Sequence, residues 1–187
     1  SFQRTRRAYF IVMQNALPTE FPLSKKFDVK GSLVGRSSGD PVKAPVLKDI
    51  EFVTSCSISL STHKHEAFIS VIESDARFLS SIGSMDYSLI LGVYKPDSDL
   101  NSSSGGIRDF HGGIIAKEQN GQVVLFYGII DFLQEFTPIK ELEHEIKSMI
   151  FKPMTVSCIP PDEYATRFIS FIRYWTLPKE LRPKSNQ

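Results

Sequence analysis

The sequence predicts an α+β fold, a mostly antiparallel sheet with packed helices. Three observations predict it. Two apolar stretches, "SIGSMDYSLILGVY" over 81–94 and "VVLFYGIIDFLQEF" over 123–136, read as strands. Asn120-Gly121 stands between two strand patterns, which is the strongest short hairpin signal in the chain. Residues 65–82 and 161–175 carry apolar side chains near helical spacing, with polar residues between them.

Taken in order, "AYFIVMQNAL" is β-branched and aromatic-rich, and predicts a buried strand from about Tyr9 to Met13. "KKFDVKGSLVGR" alternates around Phe27, Val29 and Gly31 and predicts a second strand that opens into a turn. "SSGDPVKAP" is a loop punctuated by Gly, Asp and Pro. "HEAFISVIESDARFLSSI" predicts an amphipathic helix with Phe68, Ile72, Phe78, Leu79 and Ile82 inward. The strand after Asp86 follows, then the polar Gly/Ser loop "KPDSDLNSSSGG", then the hairpin. Between Asp131 and Pro160-Pro161 the pattern is mixed. "PDEYATRFISFIRYW" predicts a last helix, with Pro161 near its first position, acids in its first turn, and Phe168, Phe171, Ile172 and Trp175 inward.

The 187 residues suffice for one domain with a sizeable core, or for part of a larger one. A net charge of +1 excludes a strong whole-molecule field, so attraction to an anionic partner must come from local clusters, and nucleic acid is not expected. Cys56 and Cys158 form neither a CxxC nor a metal spacing, which points to a reducing compartment. No apolar run approaches the roughly 18 residues of a membrane-spanning helix. The start, "SFQRTRRAYFIVM", lacks an initiator Met and a signal peptide, and predicts a chain cut from something longer. His63 and His65 have no third metal ligand nearby and are expected at the surface; the Arg4, Arg6, Arg7 cluster is expected as a solvated turn, with part of a membrane face as the alternative.

Each of the two most apolar segments ends in an acid: Asp86 before the first, Asp131 inside the second. A charge at the edge of a buried run is costly unless it is used. Two acids and a lysine are what phosphoryl transfer needs. One acid orients the attacking hydroxyl, the other holds magnesium on the phosphates, and the lysine offsets shifting charge. Lys30, one residue before Gly31 in "FDVKGS", is the candidate lysine. A glycosidase pair fits the same two acids, and so do a strand-end cap and a solvated lysine.

"FDVKGSLVGR", "SMDYSLILGV" and "YGIIDFLQEF", in this order, resemble the signature segments of the phosphatidylinositol phosphate kinase family, its type I phosphatidylinositol-4-phosphate 5-kinases included. "PVLKDIEF", "ELEHEIKSM" and "PPDEYATRFISFI" look like its other landmarks. The resemblance runs from Tyr9 to about Ile172. It implies a divergent relative of protein kinases that uses ATP and Mg2+ to phosphorylate a phosphoinositide lipid in an anionic membrane surface. By resemblance Asp86 is the catalytic-loop aspartate and Asp131 the magnesium aspartate, in an Ile-Asp-Phe sequence without the usual glycine. Lys30 would lie near the phosphates. Asn15 and Leu17, in a lobe-linking segment over 1–18, would lie against the base, with Ile90 and Ile130 as apolar walls above and below it.

Residues 131–160 take the place of an activation loop, which in the family chooses the lipid and touches the membrane. Apolar residues there alternate with Lys140, Lys147 and Lys152, which suits a segment lying in a bilayer interface. Glu143 resembles the acid of the 5-kinase types, and implies conversion of phosphatidylinositol 4-phosphate to the 4,5-bisphosphate. Lys140-Glu141 stands where those enzymes usually carry two lysines, and "KGSL" in place of "KGST" leans toward the class acting on phosphatidylinositol 3-phosphate. No Gly-rich loop precedes a Val-Ala-Ile-Lys-like strand, so the N-terminal lobe of the kinase domain is expected to be absent from residues 1–187, a C-terminal catalytic portion inactive alone. The competing reading is a non-catalytic, kinase-like module that binds phosphoinositide or scaffolds a partner. The expected location is cytoplasmic and peripheral at the membrane, with a homodimer through regions outside this chain as a further option.

Overall fold

The computed structural model describes residues 12–18, 20–55, 57–97, 110–118, 121–136 and 159–182. Arg4, Arg6, Arg7, residues 9–11, Cys56, most of the Gly/Ser loop, Asn120, Lys140, Glu143, Lys147, Lys152 and Cys158 lie outside the described residues.

The elements run β1 (Leu23–Val29), α1 (Asp49–Ser55), α2 (Thr62–Ser81), β2 (Ser88–Tyr94), β3 (Ile114–Glu118), β4 (Gly121–Ile130) and α3 (Pro161–Thr176). The strands form one antiparallel sheet in the order β1-β2-β4-β3, so the α+β class is as predicted. The hairpin forms, with Glu118 paired to Gly121. The ladder therefore closes one residue earlier than a loop of Asn120 and Gly121 would place it.

Successive strand residues face opposite sides, and paired residues share a side. Phe27, Val29, Leu89, Leu91, Val93, Leu125 and Tyr127 therefore form one face, and all are buried. It packs on Phe68, Ile69, Ile72, Ala76 and Leu79 of α2 and on Tyr164, Ala165, Phe168, Ile169 and Ile172 of α3. Each large apolar side chain so buried contributes about 1.5–3 kcal/mol. Pro160 and Pro161 start α3 abruptly, and Asp162 and Glu163 in its first turn suit the positive end of the helix dipole.

The other face carries the rows Asp28–Ile90–Gly128 and Lys26–Gly92–Phe126, with Ser88 opposite Ile130. The two glycines let residues 16–17 cross the sheet closely. A Cβ on Gly128 would stand 2.6 Å from Ala16 Cβ, and one on Gly92 3.0 Å from Leu17 Cδ2.

Three expectations need correction, and one element was not foreseen. Val12 and Met13 are exposed and outside any strand, at 88% and 55% relative accessibility; residues 12–15 run over the surface instead of pairing with the sheet. Phe78 and Ile82 are exposed, because the buried stripe of α2 passes through Ala76 and Leu79, and Ile82 lies beyond the helix as its C-cap. His65 is buried, on the stripe one turn before Phe68 and Ile69, where its Nε2 lies 3.0 Å from the Arg173 carbonyl oxygen. His63 is exposed as expected. α1, absent from the sequence reading, is one short helix anchored by buried Asp49, Glu51 and Phe52.

Candidate active site

β2 runs antiparallel to both β1 and β4, so it starts where they end: Val29 pairs with Leu89, and Ser88 with Ile130. Lys30 follows β1, Asp86 precedes β2, and Asp131 follows β4. Strand register alone thus gathers the three at one end of the sheet. Lys30 Nζ lies 2.8 Å from Asp86 Oδ1 and donates to the Asp86 carbonyl oxygen at 2.7 Å. Among the described residues, Asp86 Oδ2 and both oxygens of exposed Asp131 have no protein partner. An open cleft of about 450 Å³ is lined by Lys30, Asp86, Asp131, Met13, Phe132, Leu133 and Gln134.

Asp86 and Asp131 both have left-handed backbones, φ 62° and 60°. Such conformations are uncommon outside glycine, and aspartate tolerates them better than most residues. Cross-links hold the two turns together. Ser84 Oγ donates to the Phe132 carbonyl at 2.5 Å, Met85 N–H to the Gln134 carbonyl at 2.9 Å, and Phe136 N–H to the Gly83 carbonyl at 2.9 Å. The Tyr164 hydroxyl of α3 donates to the Tyr87 carbonyl, one residue past Asp86. Burial pushes the Tyr87 and Tyr164 phenols up, so both stay neutral donors.

The Lys30 turn wraps a buried carboxylate. Asp49 Oδ1 accepts the N–H groups of Lys30, Gly31 and Ser32 at 3.0, 2.8 and 3.2 Å, and its Oδ2 accepts Arg36 Nε at 2.7 Å. Arg36 Nη2 also donates to Asp28 Oδ1 at 2.7 Å. Burial pulls the Arg36 guanidinium down, but Asp49 and Asp28 together outweigh it and leave it above its ordinary value. Asp49 reaches this turn because Leu47 docks on the edge of β1: Asp28 N–H donates to the Leu47 carbonyl and Leu47 N–H to the Lys26 carbonyl, both at 2.8 Å.

The family model described as Phosphatidylinositol-4-phosphate 5-Kinase matches residues 1–112 and 107–174. The chain belongs to this family. Among curated proteins it is similar to phosphatidylinositol 4-phosphate 5-kinase type-1 beta of Mus musculus, 30% identical over 87% of this chain and 38% of that protein. It is also similar to phosphatidylinositol 4-phosphate 5-kinase 3 of Arabidopsis thaliana, 28% identical over 91% of this chain and 30% of that protein. A third relative is the phosphatidylinositol 4-phosphate 5-kinase of Plasmodium falciparum, 28% identical over 91% of this chain and 12% of that protein. The chain thus spans well under half the length of each.

Lys30, Asp86 and Asp131, the three residues singled out in the sequence, share one cleft. The expected base contacts do not line that cleft. Asn15 and Leu17 border a neighbouring one of about 560 Å³, with Glu20, His111, Phe126 and Tyr127. There the Asn15 side-chain oxygen accepts the Leu17 N–H at 3.1 Å. Ile90 and Ile130 are half-buried on the sheet face that residues 16–17 cross, and line neither cleft. Among the described residues before β1, Met13 lines the cleft that holds the acids. Sequence reasoning missed Asp49, Arg36 and Tyr164 as supports of the site. The only signal was their place in "PVLKDIEF", "KGSLVGR" and "PDEYATRF".

Proposed function

We propose that this chain is the C-terminal catalytic portion of an ATP-dependent kinase that phosphorylates the head group of a phosphatidylinositol phosphate. The observation that carries the reading is Lys30 bound to Asp86, with Asp131, unpartnered among the described residues, in the same open cleft. On this reading residues 1–18 link the two lobes and 131–160 meet the lipid at a membrane surface in the cytoplasm. No helix among the described residues is long and apolar enough to cross a membrane.

In the reaction an inositol hydroxyl attacks the terminal phosphorus of ATP, the bond to the bridging oxygen breaks, and ADP leaves. Asp86 Oδ2 is free to take the hydroxyl's hydrogen bond and then its proton. Lys30 fixes the other Asp86 oxygen and adds positive charge where the phosphoryl group passes. Asp131 offers oxygen ligands in an open site, the donor type that suits Mg2+. When bound, that ion would offset the charge on the phosphates. Asn15, Leu17, Ile90 and Ile130 would hold the base. Glu143, Lys140 and Lys147 would select and bind the lipid.

Phosphatidylinositol 4-phosphate is the favoured substrate, supported by the family and by Glu143. Vesicles of one fixed anionic content carrying the 3-, 4- or 5-phosphate test this in the full-length protein. The reading expects fastest turnover of the 4-phosphate, and Glu143→Ala to lower it far more than turnover of the 5-phosphate. Fastest turnover of the 3-phosphate would move the substrate to that isomer. No turnover of any lipid would leave a phosphoinositide-binding or scaffold module.

A further inference from the structure

α3 touches both catalytic turns. Tyr164 donates to the carbonyl that follows Asp86, and Gly31, which follows Lys30, packs against the Phe168 backbone. Arg167 stands between these two anchors, its guanidinium 5.0 Å over the Tyr164 ring. Its Nε is buried without a hydrogen-bond partner, and among the described residues no carboxylate lies within ion-pair distance of it. Burial pulls its charge toward neutrality, and Tyr164, Asp49 and Asp86 pull the other way. A half-buried cation without an ion pair is costly, and an apolar side chain of similar length would fill the space more cheaply.

We propose that Arg167 is a positioning residue for phosphoryl transfer: its guanidinium lies over the ring of Tyr164, whose hydroxyl fixes the carbonyl one residue past Asp86, and it adds positive charge behind that turn from outside the cleft. Lys30 serves Asp86 now, but arriving phosphates compete for the same amine. Arg167 is not among the cleft-lining residues, so phosphates entering the cleft do not compete for it. Asp86 then keeps a cationic neighbour while Lys30 turns to the phosphoryl group. The inference rests on the role given to Asp86 above.

The test compares Arg167→Met, Arg167→Lys and Asp86→Asn in the full-length protein, on vesicles carrying phosphatidylinositol 4-phosphate. Arg167→Met keeps an unbranched stem at this position but removes the guanidinium that lies over Tyr164, and with it the charge. It is expected to lower kcat by about ten- to a hundredfold, the scale of a displaced reacting group, with both KM values and the melting temperature unchanged. Arg167→Lys is expected to recover most of that loss by restoring the charge. Unchanged kcat in Arg167→Met, an equal loss in Arg167→Lys, or a fall in melting temperature that tracks the lost activity would overturn the proposal. Asp86→Asn separates the two failures. If it is inactive while Arg167→Met is normal, only the Arg167 role falls; if it stays active, the reading of Asp86 falls with it.

Discussion

A Cβ on Gly31 would stand 2.9 Å from the Cα of Phe168. The residue beside the candidate phosphate lysine is thus in contact with the backbone of the last helix, and its φ of 75° is left-handed. The atoms it would meet are all backbone, of Arg167 and Phe168, and cannot swing away as the end of a flexible side chain can.

Gly31→Ala is therefore expected to destabilise the fold and to displace Lys30. The left-handed backbone alone costs about 1–2 kcal/mol in a non-glycine residue. The contact with Phe168 adds to it. Urea denaturation measures the sum; a loss of less than about 0.5 kcal/mol, the scale of an ordinary surface change, would mean that α3 does not press on this turn.

Asp49→Asn keeps the shape of the buried carboxylate but removes its charge and one acceptor. Arg36 loses an ion-pair partner, and one of the four donors around Asp49 goes unmet. Breaking a buried ion pair from one side costs about 3–5 kcal/mol. The expected result is a large drop in the denaturation midpoint. An unchanged midpoint would show that the Lys30 turn holds its shape without Asp49.

Glu51 sets an acid-dependent part of the stability. Burial pushes its carboxyl up, but donors from Ser37 Oγ, Ser38 N and Lys48 N at 2.7, 3.0 and 3.1 Å outweigh that and hold it at about 2. Its folded value lies below the unfolded value of 4.5, so its contribution is full above 4.5 and is lost as pH falls toward 2. Glu51→Gln is expected to be less stable than wild type at pH 7, with the gap closing between pH 4.5 and 2. A gap that is constant over this range would remove the ionised form from the account.

The sheet and both long helices were legible because their signals are local: period-two alternation in β1, apolar runs in β2 and β4, a stripe in α2, and Pro161 with two acids at the start of α3. The two acids and Lys30 were legible because each sits beside such a segment. Their meeting point followed only from the family resemblance and not from the residues themselves, since it depends on the register of three strands and on which way each runs. The supports were hidden for the same reason. Asp49 reads as a helix-start acid, and Tyr164 as an ordinary helical residue, until the chain folds them onto the turns of Lys30 and Asp86. Phe78 was misplaced because hydrophobicity alone does not choose between adjacent positions on a helix face. Histidine at position 65 was misplaced because a polar ring goes inside only if a partner waits there, and the Arg173 carbonyl is 108 residues away.

The central claim is that Lys30, Asp86 and Asp131 form one phosphoryl-transfer site, and Asp131→Asn in the full-length protein tests it most directly. Asp131 is exposed and bonded to nothing among the described residues, so the substitution removes a charge without removing a support. The account expects an unchanged melting temperature and a loss of lipid phosphorylation of at least a hundredfold, since a lost magnesium ligand removes several kcal/mol of transition-state stabilisation. More than about a tenth of wild-type activity at normal stability, a loss of under about 1.4 kcal/mol, would contradict it.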